Sequence, residues 1–158
     1  MSSRPRACSI ANALAVVGER WSLLAVREVM FGVRRFDQIA RNTGASRDIL
    51  ATRLRKLVEV GLLEKRLYET HPPRHEYVLT ESGRALHGVL LTLMDWGDRY
   101  VTQGESPTVL EHDCGAVLRP LTVCAHCRAP VDAAATKALR LGQLPAPPGR
   151  QEARPEPA

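Results

Sequence analysis

The stretch SRDILATRLRKLVE, residues 46–59, has one apolar face and one short, polar and basic face. Leu50, Leu54 and Leu57 recur at the spacing of an amphipathic helix, so they share one side of it. Ser46 is a residue type that commonly caps the start of a helix. The stretch therefore predicts a helix whose leucines pack into a core and whose opposite face points outward.

The residues just before this stretch predict a second, shorter helix. Residues 36–43 have the character of a short helix, and Gly44-Ala45 supplies a tight turn between the two. Two helices joined in this way form a helix-turn-helix unit, whose second helix lies in the major groove of DNA. We therefore interpret residues 46–59 as a DNA recognition helix. The residues of this helix assigned to DNA binding are Ser46, Arg47, Asp48, Thr52, Arg55 and Lys56.

A β-hairpin is predicted directly after the recognition helix. Residues 62–69 and 75–79 have strand-like patterns, and the turn between them contains two prolines that restrict its backbone. In this position a hairpin would be the wing of a winged helix. We assign Arg74 at its tip, and Arg35 just before the first helix of the motif, to phosphate or minor-groove contacts. An ordinary hairpin loop is the alternative.

The positive charge is concentrated on the same segment. Residues 34–74 contain ten Arg or Lys and five Asp or Glu, which accounts for the whole net charge of +5. The rest of the chain is balanced, with twelve residues of each sign. Cationic side chains bind DNA by neutralising its phosphates, so this distribution fits a DNA-binding surface. A solvated basic surface explains the charge alone equally well, and the helix-turn-helix pattern decides between the two.

Helices are also predicted on both sides of the motif. Residues 9–17 form a helix that Gly18 ends, and residues 21–31 form a second one. Thr80 caps a single long helix whose apolar stripe exceeds what a small winged domain needs. We predict that part of this stripe pairs with a second subunit, together with the 9–17 helix; an internal core helix is the alternative. The second helix offers Trp21, Leu24, Val29 and Phe31 to the core, and the stripe comprises Leu86, Val89, Leu90, Leu93, Trp96, Gly97 and Tyr100.

The fold class predicted is mainly α with a small β-hairpin: a winged helix-turn-helix with flanking dimerisation helices at residues 8–103. A chain of 158 residues, 44% of them hydrophobic, can bury one principal core. No segment approaches the ~20 apolar residues of a membrane span or resembles a signal peptide, so we expect a soluble, cytoplasmic protein without a membrane partner. No nucleophile–base pair, phosphate loop or paired carboxylates stand out, so we expect no enzymatic activity.

Residues 108–132 are predicted to form a cysteine-containing hairpin, followed at 142–158 by a proline-rich, disordered tail. The hairpin contains a C-x-x-C turn, in which two thiolates can bind one tetrahedral zinc ion, and a second turn must supply the other two ligands. The segment resembles a minimal zinc ribbon with a structural Zn2+; an unmetallated hairpin with incidental cysteines is the alternative. The predicted ligands are Cys114, Cys124, Cys127 and His112, and His126 could replace His112.

Cys8 is a candidate redox residue. It stands at the predicted start of a helix, close in sequence to Arg4 and Arg6. Reactive cysteines occupy helix N-termini and electropositive surroundings of this kind. The alternative is a small apolar residue packed at a dimer interface, and no second cysteine nearby in sequence is available to form a disulfide with it.

In this order, the motifs resemble the HxlR family of bacterial winged helix-turn-helix transcriptional regulators. The chain departs from the family pattern at Glu19, where a small or polar residue is more usual, and in continuing well past the usual end. The matching pieces are CSI at 8–10, GERWSLL at 18–24, RRF at 34–36, LATRLRKL at 50–57, GLL at 61–63, PPRHEY at 72–77, LTESG at 79–83 and DWG at 95–97.

The resemblance implies a homodimer that binds palindromic operator DNA through one recognition helix and one wing per subunit, and that usually represses transcription. In some HxlR-type regulators a cysteine at the position of Cys8 senses oxidants or electrophiles. Two other functions remain open: a protein-interaction module with a winged-helix fold, and a thiol- or metal-responsive regulator whose cysteines are the sensor. A small-molecule effector is a further partner class that the sequence does not identify.

Overall fold

The computed structural model describes residues 8–138 of the chain. The chain divides into two compact units, Met1–Pro120 and Leu121–Ala158. The predicted tail at 142–158 lies outside the described residues. None of the described helices is both long and apolar enough to span a membrane. The elements of the first unit are α1 (Ser9–Val17), α2 (Arg20–Met30), α3 (Phe36–Thr43), α4 (Arg47–Glu59), β1 (Leu63–Thr70), β2 (Pro73–Leu79), α5 (Glu81–Ala85) and α6 (His87–Tyr100).

The architecture confirms the predicted winged helix-turn-helix. Helices α3 and α4 form the motif, and β1 and β2 form an antiparallel hairpin directly after it. The hairpin runs from Leu63 opposite Leu79 to Thr70 opposite Pro73, so its turn is shorter than the predicted one. The Tyr77 amide donates to the Arg34 carbonyl at 2.9 Å. This bond holds the wing against the segment that leads into α3.

The core lies beneath the recognition helix. Leu50, Leu54 and Leu57 are each 0% exposed, which confirms the predicted apolar face of α4. They pack with residues of α2, α3 and β1, so a single cluster joins the helices of the motif to the wing. The other fully or nearly fully buried members of this cluster are Ala25, Val26, Val29, Ile39, Ala45 and Leu63.

The prediction that Phe31 belongs to the core is wrong. Phe31 is 44% exposed, because it lies at the C-cap of α2, where the chain turns away through Gly32 with a φ of 83°. The buried side of α2 is instead formed by Ala25, Val26 and Val29. Apolar character alone did not distinguish the last residue of the helix from its inner face.

The prediction of one long helix after Thr80 is also wrong. The helix divides at Leu86, whose amide donates to the Gly83 carbonyl one residue closer than in an α-helix. Gly83 packs so closely on the preceding loop that a Cβ there would lie 2.1 Å from the Leu62 carbonyl oxygen. Leu86 and Leu90 pack against the core, whereas the outer part of α6 does not. The predicted Thr80 cap is confirmed by its bond from the Gly83 amide at 3.2 Å.

A buried carboxylate that sequence analysis missed fixes α3 against α2. Glu28 is 5% exposed, and its Oε1 accepts bonds from Arg27 Nε at 3.1 Å and Nη2 at 2.6 Å. Its Oε2 accepts a bond from Asn42 Nδ2 at 2.7 Å. Because a buried charge is costly unless it is paired and hydrogen-bonded, these three side chains act as one unit. They set the position of α3, and through the turn that of α4.

Replacing Leu54 by Ala is expected to lower the free energy of unfolding by about 2–5 kcal/mol, because it leaves a cavity at a fully buried position. Urea unfolding at fixed protein concentration measures the effect. Leu67→Ala is the matched control, since Leu67 is 52% exposed on β1 and its truncation is expected to change stability by less than about 0.5 kcal/mol. Equal losses for the two variants would contradict the assignment of the core face.

Candidate nucleic-acid interface

The turn of the motif places the start of α4 at the surface. Gly44 has a φ of 73°, a left-handed conformation that costs glycine little, and this reverses the chain between the helices. Thr43 Oγ1 donates to the Ile39 carbonyl at 2.7 Å and accepts a bond from the Ala45 amide at 3.3 Å. The predicted cap is confirmed, because Ser46 Oγ accepts a bond from the Ile49 amide at 3.4 Å.

The outer face of α4 is polar and exposed. Arg47, Asp48, Thr52 and Arg55 are exposed opposite the buried leucines, as is the capping Ser46. Thr52 Oγ1 donates to the Asp48 carbonyl at 2.9 Å, so its hydroxyl lies along the helix surface. Arg55 has no ion pair or side-chain hydrogen bond with any other residue of the described part. Its guanidinium is therefore available to a partner.

Arg47 is held at the start of α4 by two groups from α3. Its Nη1 lies 2.7 Å from Asp37 Oδ1, and its guanidinium carbon lies 5.1 Å from the centre of the Phe36 ring. Both charged side chains are well exposed. Exposed ion pairs contribute only about 0.2–1 kcal/mol, so a phosphate can replace Asp37 at little cost.

Two other cations of α4 contact groups of the protein itself. Lys56 is half-buried, and its Nζ donates to the Ala15 carbonyl near the end of α1 at 2.9 Å. Arg53 Nη2 pairs with Glu19 at 3.3 Å, which gives a structural role to the residue where the sequence departs from the family pattern. Lys56 thus joins α4 to α1, and its predicted contact with DNA stays a prediction.

Arg35, just before α3, and Arg74, on the wing, each lie beside a group that attracts a cation. Arg35 lies over the Tyr68 ring at 5.0 Å, and Arg74 Nε lies 3.2 Å from Glu69 Oε2 near the hairpin tip. On β1, the hydrogen bond from Arg66 lowers the pKa of Glu64, so this exposed carboxylate stays ionised beside its partner. Arg35 and Arg74, the two residues predicted to contact phosphates or the minor groove, are both exposed.

A concave surface between α4 and the wing was not predicted. It is a cavity of about 260 Å³, and Lys65 and Tyr77, which lie opposite each other in the hairpin, form its wing side. Burial raises the pKa of Tyr77, so its hydroxyl is neutral at physiological pH. The strand register places Tyr77 opposite Lys65, and this register is not readable from the sequence until the turn is known. The residues that line the cavity are Ala51, Arg55, Val58, Glu59, Lys65 and Tyr77.

The four cysteines are all free thiols and none belongs to the surface just described. Cys8 is exposed at the N-cap of α1, so its predicted redox role stays a prediction. Within residues 8–138, no group of three or more His, Cys, Asp or Glu side chains is placed to hold a metal ion. The predicted zinc ligands Cys114, Cys124, Cys127 and His112 are untested by this structure, and the zinc site stays a prediction.

Comparison with known sequences identifies regulators. The family described as HxlR-like helix-turn-helix matches residues 16–105. The chain is 49% identical over 129 residues to the HTH-type transcriptional regulator Rv3095 of Mycobacterium tuberculosis, covering 80% of this chain and 82% of that protein. It is 31% identical over 94 residues to the HTH-type regulator YdeP of Bacillus subtilis, covering 59% and 73% of the two chains. The 129 aligned residues exceed the length of residues 1–105, so the similarity to Rv3095 continues into the C-terminal segment.

Comparison with solved structures agrees. The crystal structure of PA1607, a proposed transcription factor, superposes with a TM-score of 0.76 at 37% identity, covering 85% of this chain and 95% of that one. The reduced form of the transcriptional regulator YodB from B. subtilis gives a TM-score of 0.52 at 29% identity, covering 63% and 100%. The redox regulator HypR in its oxidised form gives 0.53 at 28% identity, covering 61% and 100%.

Replacing Asp37 by Asn is expected to strengthen DNA binding up to about fivefold, because it frees Arg47 and removes a negative charge that repels phosphate. Arg47→Ala is expected to weaken binding and to reduce its salt dependence by about one counterion. Titration of fluorescent duplex DNA at several salt concentrations measures both.

Asp95→Asn is the matched control, because it breaks a comparable ion pair with Arg99, 2.9 Å long, on α6. It is expected to leave the affinity unchanged. Weaker binding by Asp37→Asn would contradict a competition between Asp37 and phosphate for Arg47. It would show instead that Asp37 positions Arg47 for DNA.

Proposed function

The chain belongs to the HxlR-like helix-turn-helix family and is a helix-turn-helix transcriptional regulator; we propose that it acts as a homodimeric repressor on palindromic operator DNA. The observation that carries the proposal is the outer face of α4. Its exposed side chains stand opposite three fully buried leucines, and Arg55 among them lacks any partner in the described residues. A helix turned in this way offers its polar face to the major groove.

The proposal gives different tasks to the different side chains. Arg55 and Thr52, in the middle of α4, are the residues that reach base edges, since arginine reads guanine and a hydroxyl serves either donor or acceptor. Arg47 at the helix start and Arg74 at the wing tip bind phosphates, which fixes the register of the protein on the duplex. Ser46 and Asp48 lie exposed beside Arg47 and line the same entry to the groove.

The surface of α6 supports a homodimer. Trp96 and Tyr100 are 54% and 72% exposed, and their ring centres lie 5.9 Å apart. Val89 and Leu93 extend this exposed apolar stripe along the same helix, and Ile10 and Leu14 on α1 are exposed as well. Contiguous apolar surface of this kind marks interaction sites in folded proteins. A second copy of the chain would cover both helices and set two recognition helices side by side.

The proposal includes no catalytic activity and places the protein in the cytoplasm, where bacterial operators are. Bound near a promoter, the dimer would block transcription. A small apolar effector would fit a cavity of about 220 Å³ between α2 and α6, which Leu24, Met30, Leu90 and Met94 help to line. A ligand there would contact both the core of the motif and the helix proposed for dimerisation.

Selection of bound sequences from a random duplex pool tests the proposal. The wild type is expected to enrich a palindrome with half-sites about 34–36 Å apart, since a dimer places its recognition helices one DNA turn apart. Arg55→Ala is expected to cost about 1–3 kcal/mol and to relax specificity. Arg119→Ala, an exposed arginine outside the matched family segment, is the control and is expected to enrich the same palindrome. A folded wild type that enriches no sequence would overturn the proposal.

The dimer is measured on the same preparations by sedimentation. Leu93→Asp, which puts a charge into the exposed stripe of α6, is expected to give monomers and to lose the palindrome. Val117→Asp is the matched control, because Val117 is also exposed, at 60%, and lies outside both α1 and α6. Retention of the dimer by Leu93→Asp would overturn the place of α6 in the interface.

A thiol-responsive regulator is the second candidate function. Cys8 is exposed at the start of α1, and α1 is joined to the recognition helix by the bond from Lys56 to Ala15. A change at α1 can therefore reach α4. HypR, a redox regulator, shares the fold at 28% identity.

Treatment with a thiol oxidant is expected to lower the operator affinity of the wild type and to leave Cys8→Ser unchanged, because the sulfur at the start of α1 is the group that reacts. Mobility-shift titration before and after treatment measures the change, with Cys127→Ser as the matched control. Equal loss of affinity by Cys8→Ser would contradict a sensing role for Cys8.

A further inference from the structure

The cavity between α2 and α6 has the lining of a small-molecule site. Its volume is about 220 Å³, and apolar side chains of both helices, Leu24, Leu90 and Leu91 among them, form most of its wall. Small-molecule sites in proteins are concave and mainly apolar, with a few polar groups that orient the ligand. Every residue that lines this cavity belongs to the first unit, so the cavity lies within one compact body.

The cavity follows the length of α6. His87, Leu91, Met94 and Asp98 line it at successive turns of the helix. Since a helix rises about 1.5 Å per residue, His87 and Asp98 lie about 16 Å apart along its axis. The cavity is therefore elongated, and Asp98 lies towards one end of it, on the opposite side of the leucines from His87.

The remaining apolar wall suits ligands of more than one shape. Met30 of α2 and Met94 of α6 both contribute to it, and their unbranched, polarisable side chains adapt readily to a bound molecule. Phe31 adds an aromatic ring that is 44% exposed, so the ring has a free surface outside the core. Aromatic faces attract organic cations as well as apolar groups.

The positive charge of Arg27 in the lining is already matched. Its Nε and Nη2 donate to Glu28 Oε1 at 3.1 and 2.6 Å, and Glu28 is 5% exposed. An anionic ligand would have to draw Arg27 away from this carboxylate. Removing the cation from a buried ion pair is strongly destabilising, so the cavity disfavours an anion at Arg27.

The negative charge of Asp98 is not matched. Within residues 8–138 it forms no ion pair, and its one side-chain hydrogen bond comes from Thr102 Oγ1 at 3.5 Å. The next residue, Arg99, pairs instead with Asp95 at 2.9 Å. Arg119 shares a neighbouring cavity with Asp98 but is not paired with it. With Arg27 neutralised by its partner, the carboxylate of Asp98 is the unmatched charge of the lining.

We infer that this cavity binds a small organic cation, in which one ammonium group is joined to an apolar chain or ring. The apolar part lies along the leucines and methionines, and the ammonium group lies beside Asp98. The proposed function places a small effector in this cavity, and the charge of the lining specifies its head group. Any effect of the ligand on DNA binding rests on that proposed function, whereas binding itself is measured without DNA.

Three probes with the same eight-carbon chain test the inference: n-octylammonium, 1-octanol and octanoate, each below the concentration at which it forms micelles. Calorimetric titration of the full chain at low salt measures their affinities. Octylammonium is expected to bind at least about tenfold more tightly than octanoate, because Asp98 attracts the first head group and repels the second. Equal affinities for the two, or no binding of octylammonium, would overturn the inference.

Asp98→Asn is expected to weaken octylammonium binding by about threefold or more and to leave 1-octanol binding unchanged. Asp95→Asn is the matched control, because it removes the same charge from the same helix at a residue that does not line the cavity. It is expected to keep the preference for the cation. Equal weakening by the two variants would overturn the place of the ammonium group beside Asp98.

Methyl-labelled methionine locates the ligand independently of its affinity. Met30 and Met94, which both line the cavity, are the only methionines besides Met1. Their methyl resonances are expected to shift as octylammonium is added, and Met30→Leu assigns them by removing one. Binding that leaves both resonances in place would show that the cation binds elsewhere and would overturn the inference. A protein that binds octylammonium here but enriches no operator would contradict the proposed function alone.

Discussion

The burial of Leu50, Leu54 and Leu57 is the constraint on which the structure depends. Each leucine is removed completely from water, and full burial of such a side chain stabilises the fold by roughly 1.5–3 kcal/mol. Because the three lie on one side of α4, their burial fixes the rotation of the helix about its axis. The polar side, with Arg47, Thr52 and Arg55, then has no position except at the surface. One side of α4 thus forms the core, and the opposite side is the one proposed to recognise DNA.

The contacts around this helix differ in strength according to their burial. Glu28 is buried with both oxygens bonded, so it resists change and holds α3 in place. The pair between Arg47 and Asp37 is exposed and weak, so it can exchange Asp37 for a phosphate. The bond from Lys56 to Ala15 carries α1 along with α4. The buried bonds of Glu28 thus hold the helices in place, while the exposed ion pair of Arg47 can exchange its partner.

Periodic and local features were predictable from sequence, and contacts between distant segments were not. The bounds of α1 and α3, the turn at Gly44 and the leucine face follow from spacing and caps, which are local. The break at Leu86, where Gly83 packs on the Leu62 carbonyl, and the pairing of Glu28 with Asn42 arise from packing between segments that are distant in sequence. For the same reason, the sequence pattern predicted Lys56 on the outer face of α4, although its ammonium group donates to the Ala15 carbonyl of α1. The concave surface between α4 and the wing, where Lys65 lies, was not predicted. The roles of the predicted DNA-binding residues and of the predicted zinc ligands stay predictions.

Dimethyl sulfate footprinting on the selected operator would test most directly whether α4 enters the major groove. The reagent methylates guanine N7 in the major groove and adenine N3 in the minor groove, so it reports which groove is covered. The protein is predicted to protect guanine N7 in two half-sites about one helical turn apart. Protection of adenine N3 alone, with every guanine N7 still reactive, would contradict the account.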